Sequence, residues 1–257
     1  MIKPRVLILK TAGVNCDQES AFAFESAGAE TEFVHINELV SGTKKLSDFQ
    51  ILCFSGGFTY GDDIAAGKIL ANELKSKLFD ELKKFISDKK LIIGVCNGFQ
   101  VLVKAGLLPG NEDFRQEVTL SNNDCGSFQD MWIHLKTLDS KCIWTKGLSE
   151  LIYLPIAHGE GKFIPKNEDV LQRLKNNGQI VFKYCSAQGV IGDYPVNPNG
   201  SIDSVAGICD ESGRVFGLMP HPERHLTGLQ NPQWTRSGLK KHGDGFQIFL
   251  NAVNYFK

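Results

Sequence analysis

The chain has 257 residues, 42% hydrophobic and 22% charged, with a formal net charge of −1. That apolar share can build a sizeable core, while near-neutrality supplies no broad positive field to hold nucleic acid or an anionic membrane, so neither is expected as a partner. Seven cysteines without a single Cys-x-x-Cys pair argue against a disulfide framework and a zinc site, and no metal is expected.

In chain order, residues 5–10, 32–35, 51–54 and 91–95 are short, mostly apolar runs, and most read as central strands covered on both faces. The first of them, around Val6-Leu7-Ile8-Leu9, is too short for a secretory leader or a membrane span, and a cytoplasmic location is expected. Residues 17–27 and 68–87 carry apolar side chains at helical spacing. The first hundred residues therefore read β-α-β-β-α-β-α with right-handed crossovers. The fold class expected is α/β, a doubly wound, mainly parallel sheet. Between 115 and 153 the pattern changes: 117–120 and 131–135 resemble two strands around a polar loop, 121–130. This predicts a β insertion around 110–153 in a single domain spanning 1–257. Residues 180–184, 204–208 and 215–218 are further strand candidates, and an amphipathic helix is predicted over 245–255.

Gly94-Val95-Cys96-Asn97-Gly98-Phe99-Gln100 follows the apolar run 91–93 and precedes a helical stretch. A strand that turns sharply into a helix projects its apex side chain from the sheet, as nucleophile elbows do, and Cys96 is at that apex. The positive end of a helix dipole favours a thiolate, and the Asn97 N–H would face a developing oxyanion. Taken alone, the elbow leaves a buried packing cysteine equally open. In Met219-Pro220-His221-Pro222-Glu223-Arg224, two prolines hold His221 in a stiff frame just past a strand end. A cysteine nucleophile needs a base, and the base needs an orienting partner. His221 and Glu223, two apart in an extended segment, fit those roles. Ser55-Gly56-Gly57-Phe58 follows another strand at the edge where doubly wound sheets bind ligands, so Gly57 could supply a second oxyanion donor beside Asn97. No Gly-Lys-Ser/Thr ending marks this loop as a phosphate cradle. Cys16 is a rival thiol, but no histidine partner is evident for it. Residues 15–17 are expected to form a turn capped by Asp17, with Cys16 packed inside.

Together these motifs resemble class I glutamine amidotransferases. Asn15-Cys16-Asp17, Gly57-Phe58-Thr59-Tyr60-Gly61-Asp62, Cys96 to Gln100 and Pro155-Ile156-Ala157-His158-Gly159-Glu160-Gly161 look, more narrowly, like the glutaminases of phosphoribosylformylglycinamidine synthases. The likeness spans nearly the whole chain. It implies a class I glutaminase-like, flavodoxin-like fold, with the family's catalytic cysteine, histidine and glutamate falling on Cys96, His221 and Glu223. It also implies that Gln100, Phe58 and His158 lie near bound glutamine. No cofactor is implied for this chain. ATP and magnesium are expected in a partner synthetase acting on formylglycinamide ribonucleotide in purine biosynthesis, with a small accessory subunit as a further partner. Two features depart from the wider family: Ser55 stands where proline often precedes the glycines, and the region from 110 to 153 looks longer than in compact relatives. Three other readings stay open on sequence alone: a different amidotransferase glutaminase, a cysteine peptidase on the same fold, and a noncatalytic glutamine sensor.

Overall fold

The apolar runs of the N-terminal half become parallel strands in the computed structural model, which describes residues 3–111 and 113–257. Met1, Ile2 and Glu112 of the span read as one domain lie outside the described residues. β1 (Arg5–Lys10), α1 (Asp17–Ser26), β2 (Glu30–His35), α2 (Ile36–Val40), β3 (Ile51–Phe54), α3 (Lys68–Lys77), α4 (Phe79–Ser87), β4 (Leu91–Val95) and α5 (Asn97–Lys104) follow in order. β1 pairs with β2 and β3, and β3 with β4, all in parallel. Every residue of β3 and β4 is buried, which is why these runs show no polar alternation.

Residues 68–87 form two helices rather than the single one expected. Lys75 and Lys77 end α3 while Asp80 and Glu81 open α4, so each charge sits at the helix end that favours it, on either side of Leu78. The turn at 15–17 is structured as expected, but Asp17 is not its cap. Cys16 holds the cap position, and the Asp17 carboxylate pairs with Lys10 instead.

The second half contributes β5 (Val118–Ser121), β6 (Gln129–Thr137), β7 (Leu151–His158), β8 (Lys162–Pro165), α6 (Glu168–Asn176), β9 (Ile180–Cys185), β10 (Val205–Cys209), β11 (Val215–Leu218), α7 (Trp234–Ser237) and α8 (Phe246–Asn254). The main sheet has the order β2-β1-β3-β4-β11-β10-β9-β6-β7. Its pairings are parallel as far as β11 and antiparallel beyond, so only β10 and β6 run against the rest and seven of the nine strands share one direction. The two strands expected around the loop 121–130 exist as β5 and β6, yet they do not pair with each other as a separate insertion. β6 lies in the main sheet between β9 and β7, while β5 forms a ribbon with β8. A long polar loop carries no tight-turn signal, so it joins strands of different sheets as readily as the arms of a hairpin.

Two features of this frame place the site. β11 lies directly beside β4, with Leu218 opposite Val95, so the chain leaves both strands at the same edge. α5 packs close on β3: a Cβ at Gly98 would meet Phe54 O at 1.9 Å, so only glycine permits this approach of helix to strand. At the far end of the sheet, the free edge of β7 is covered by the segment after β11. His221 N donates to Pro155 O at 2.8 Å, His225 Nδ1 to Tyr153 O at 2.7 Å, and Tyr153 N to Asp244 Oδ2 at 2.9 Å. An edge position also accommodates Pro155, which has no N–H to give. β7 is thereby tied over the ends of the central strands.

Candidate active site

Cys96 stands between β4 and α5 with φ 51° and ψ −108°, a left-handed conformation that a non-glycine residue adopts only under constraint from its surroundings. Its N–H donates to Leu218 O at 2.8 Å and its carbonyl accepts from Gln100 N at 3.1 Å, which fixes the elbow between the two strands and the helix. The thiol points toward Ala157 O, 3.6 Å away on β7.

Three residues beyond Leu218, the His221 ring is 1% exposed and its Nδ1 donates to Glu223 Oε1 at 2.6 Å. Its Nε2 is buried without an aligned hydrogen-bond partner, although the thiols of Cys96 and Cys16 both lie beside the ring. Burial is the largest influence on this imidazole and disfavours its charged form. The Glu223 carboxylate and the two sulfurs outweigh it and hold His221 well above the ordinary histidine range. An imidazolium beside a thiol is the arrangement that stabilises a thiolate.

Cys16 is packed inside, as expected, and the fold supplies a histidine neighbour that is not evident in the sequence. Its sulfur, a His221 ring nitrogen and a Glu223 oxygen lie within 4.8 Å of one another. The contact joins residues 205 positions apart, which no local pattern reveals. Arg224 Nη2 lies 3.2 Å from the same sulfur, a fixed positive charge that opposes a metal ion there.

The glycine loop after β3 is zipped to the turn after β1. Asn15 N and Cys16 N donate to Gly56 O at 3.4 and 3.2 Å, and Phe58 N donates to Gly13 O at 2.9 Å. A trans peptide then directs the Gly57 N–H away from that turn, and Gly57 lines the same cavity as Cys96. Asn97 opens α5, so its N–H has no intrahelical acceptor. Its side chain is a clamp that the motif did not disclose. Oδ1 accepts from Thr59 N at 3.2 Å and Thr59 Oγ1 at 2.7 Å, while Nδ2 donates to Asp62 Oδ1 at 3.1 Å and Gln100 Oε1 at 3.0 Å. Gln100 in turn donates to Glu160 O at 2.5 Å.

The cavity has a volume of about 500 Å³ and opens at Cys96, with Gly57, Phe58, Gln100, His158 and Glu160 among its walls. Of the residues expected at the substrate, Cys96, Gly57, Phe58, Gln100 and His158 line this one space, whereas Asn97, His221 and Glu223 are buried and are not among its walls. Phe58 faces Phe128 across the mouth, the ring centroids 6.4 Å apart and both side chains about half exposed. His158 is 2% exposed, and its Nδ1 lies 3.2 Å from Asn123 Oδ1, which also accepts from Gly161 N. Burial, aided by the nearby charge of His221, pushes its pKa down to about 4, so this ring is neutral at physiological pH. Among the described residues the cavity walls carry two carboxylates: burial raises the pKa of Asp62, and Lys104 Nζ lies 3.9 Å from Glu160 Oε2. Their oxygens can accept from the ammonium group of a ligand.

The chain belongs to the CobB/CobQ-like glutamine amidotransferase domain family, whose model matches residues 3–256. Among curated relatives, it is 49% identical to the phosphoribosylformylglycinamidine synthase subunit PurQ of Dehalococcoides mccartyi, over 99% of this chain and 98% of that one. It is 46% identical to the subunit of the same name from Methanococcus maripaludis, over 100% and 99%. Among solved structures, it matches a chain of PurLQS from Thermotoga maritima with a TM-score of 0.77 and 32% identity, covering 100% of both chains. No helix among the described residues is long and apolar enough to cross a membrane.

Proposed function

We propose that this chain is the glutamine-hydrolysing subunit of a phosphoribosylformylglycinamidine synthase, acting in the cytoplasm. One observation carries the reading: a strained elbow cysteine, a buried histidine and its carboxylate partner converge at a cavity suited to an amino acid. The Cys96 thiolate attacks the side-chain carbonyl carbon of glutamine, and the N–H groups of Gly57 and Asn97 receive the oxyanion. Protonated His221 gives its proton to the departing nitrogen, which leaves as ammonia, and the C–N bond breaks to give a glutamyl thioester. His221 then takes a proton from water, whose oxygen attacks the thioester carbon. Glutamate departs and the thiolate is regenerated, while Glu223 holds the ring throughout. Phe58, Gln100 and Glu160 shape the glutamine subsite.

The strong likeness to PurQ subunits supports delivery of the ammonia to a synthetase partner. That partner would use ATP and magnesium to convert formylglycinamide ribonucleotide to its amidine, with a small accessory subunit in the assembly. In the complex reconstituted with the synthetase, Cys96→Ala is expected to abolish glutamine-dependent synthesis and spare ammonia-dependent synthesis. Persistence of both would remove Cys96 as the nucleophile.

A further inference from the structure

Cys16, in the turn between β1 and α1, takes no part in that scheme, yet it touches both halves of the machinery. Its S–H points to Asn15 Oδ1 at 3.1 Å, and Arg224 Nη2 donates to the sulfur at 3.2 Å. Arg224 is itself held by Glu19 of α1, Nε to Oε2 at 3.2 Å. With its proton committed to Asn15, the sulfur has lone pairs left for Arg224 and for the His221 ring, which lies within 4.8 Å. Burial raises the Cys16 pKa, against the opposing pull of His221, so the group remains a neutral acceptor. Its backbone acts on the other half. The N–H groups of Asn15 and Cys16 hold the Gly56 carbonyl and thereby set the plane of the Gly56–Gly57 peptide.

We propose that Cys16 is a positioning residue for glutamine hydrolysis: its sulfur seats the His221 ring against Gly56, and its N–H orients the peptide that carries the Gly57 donor. One turn thus aligns the base and an oxyanion donor with a nucleophile on a different strand. The inference rests on the roles given above to Cys96 and His221. The groups facing the His221 ring are Glu223 from its own segment, Cys96 from the elbow, Cys16 from the first turn and His158 from β7, with Arg224 behind Cys16. Sulfur lone pairs this close to the ring stabilise the imidazolium even without an aligned hydrogen bond, so their removal should lower the pH at which the ring loses its proton.

The test uses the complex reconstituted with the synthetase and a chloroketone analogue of glutamine. The adduct is located by peptide mass spectrometry, and the inactivation rate is followed against pH. Ammonia-dependent synthesis reports the assembly of each variant. The adduct should fall on Cys96 in the wild type and in every variant. Cys16→Ala should react about tenfold more slowly, as expected for a misplaced base, with its alkaline limb roughly half a pH unit lower. Cys16→Ser, whose hydroxyl can accept, should bring the limb back. If the alanine variant does not assemble, Cys16→Val, which keeps volume without a comparable acceptor, should show the same lowered limb. A limb unmoved in the variant lacking the acceptor, whether or not the rate falls, would leave Cys16 a packing residue and overturn the inference. An adduct on Cys16 in the wild type would instead overturn the assignment of the nucleophile beneath it.

Discussion

Gly56 offers a way to move the base without altering any group that takes part in the chemistry. Its φ lies outside the left-handed region, so alanine can adopt the same backbone. The added methyl would stand 2.9 Å from His221 Cε1, 3.2 Å from Cys16 Sγ and 3.5 Å from Cys96 Cβ. Carbon atoms in ordinary contact lie about 3.5–4.0 Å apart, so the ring must retreat by roughly half an ångström or more. Displacement on that scale costs up to about a hundredfold in rate when the reacting groups must meet in one geometry. Gly56→Ala is therefore expected to lower kcat for glutamine-dependent synthesis about 10- to 100-fold while changing KM for glutamine less than about threefold. The crowding should also destabilise the fold by about 1–3 kcal/mol. Ammonia-dependent synthesis by the same complex serves as the internal control, since it bypasses the cavity. A folded variant with kcat within twofold of the wild type would show that contact with Gly56 does not locate the imidazole.

Two further perturbations read other parts of the frame. His158 is neutral in the folded chain down to about pH 4, whereas the unfolded chain protonates it near 6.5, so stability should fall as pH drops through that interval, by up to roughly 3 kcal/mol. His221 works in the opposite sense, because its raised pKa lends stability that is present below about pH 6.5 and lost as pH rises through the folded value. Urea midpoints between pH 4 and 8 should show a flatter acid slope for His158→Gln, and an unchanged slope would refute the assignment. Asn97→Ala removes four side-chain hydrogen bonds around the glycine loop and should cost about 2–4 kcal/mol. Amide hydrogen exchange at 57–62 should quicken, and protection equal to the wild type would show that the clamp does not hold the loop.

The N-terminal half of the fold was legible because its strands are buried on both faces and announce themselves as apolar runs: the predicted bounds of β1, β3 and β4 match the structure. β7 does not announce itself as a strand: Pro155 interrupts its pattern, and the edge is completed by residues some 70 positions later, so the segment stands out only as a motif. α6 carries a local signal, since Asn167 caps it and Glu168 and Asp169 open its first turn. For the site, the elbow and the stiff His-Pro-Glu frame disclosed Cys96, His221 and Glu223 because each rests on local backbone geometry. The clamp of Asn97 on Thr59 and Asp62 and the meeting of Cys16 with His221 depend on loops from separate strands, and nothing in the spacing of those residues encodes them.

The neighbouring parallel strands β4 and β11 serve the reaction as a gauge. Leu218 stands opposite Val95, and one residue on, Cys96 still spends its N–H on the Leu218 carbonyl. The spacing between nucleophile and base is therefore inherited from a rung of sheet hydrogen bonding rather than negotiated by loops. Changes in the surrounding loops can reshape the cavity or the surface a synthetase meets while that gauge stays at its setting. A single deletion between Leu218 and His221 could not be absorbed in the same way: it would shift the imidazole by a residue and turn it toward the other side of the extended segment, even if every loop remained in place.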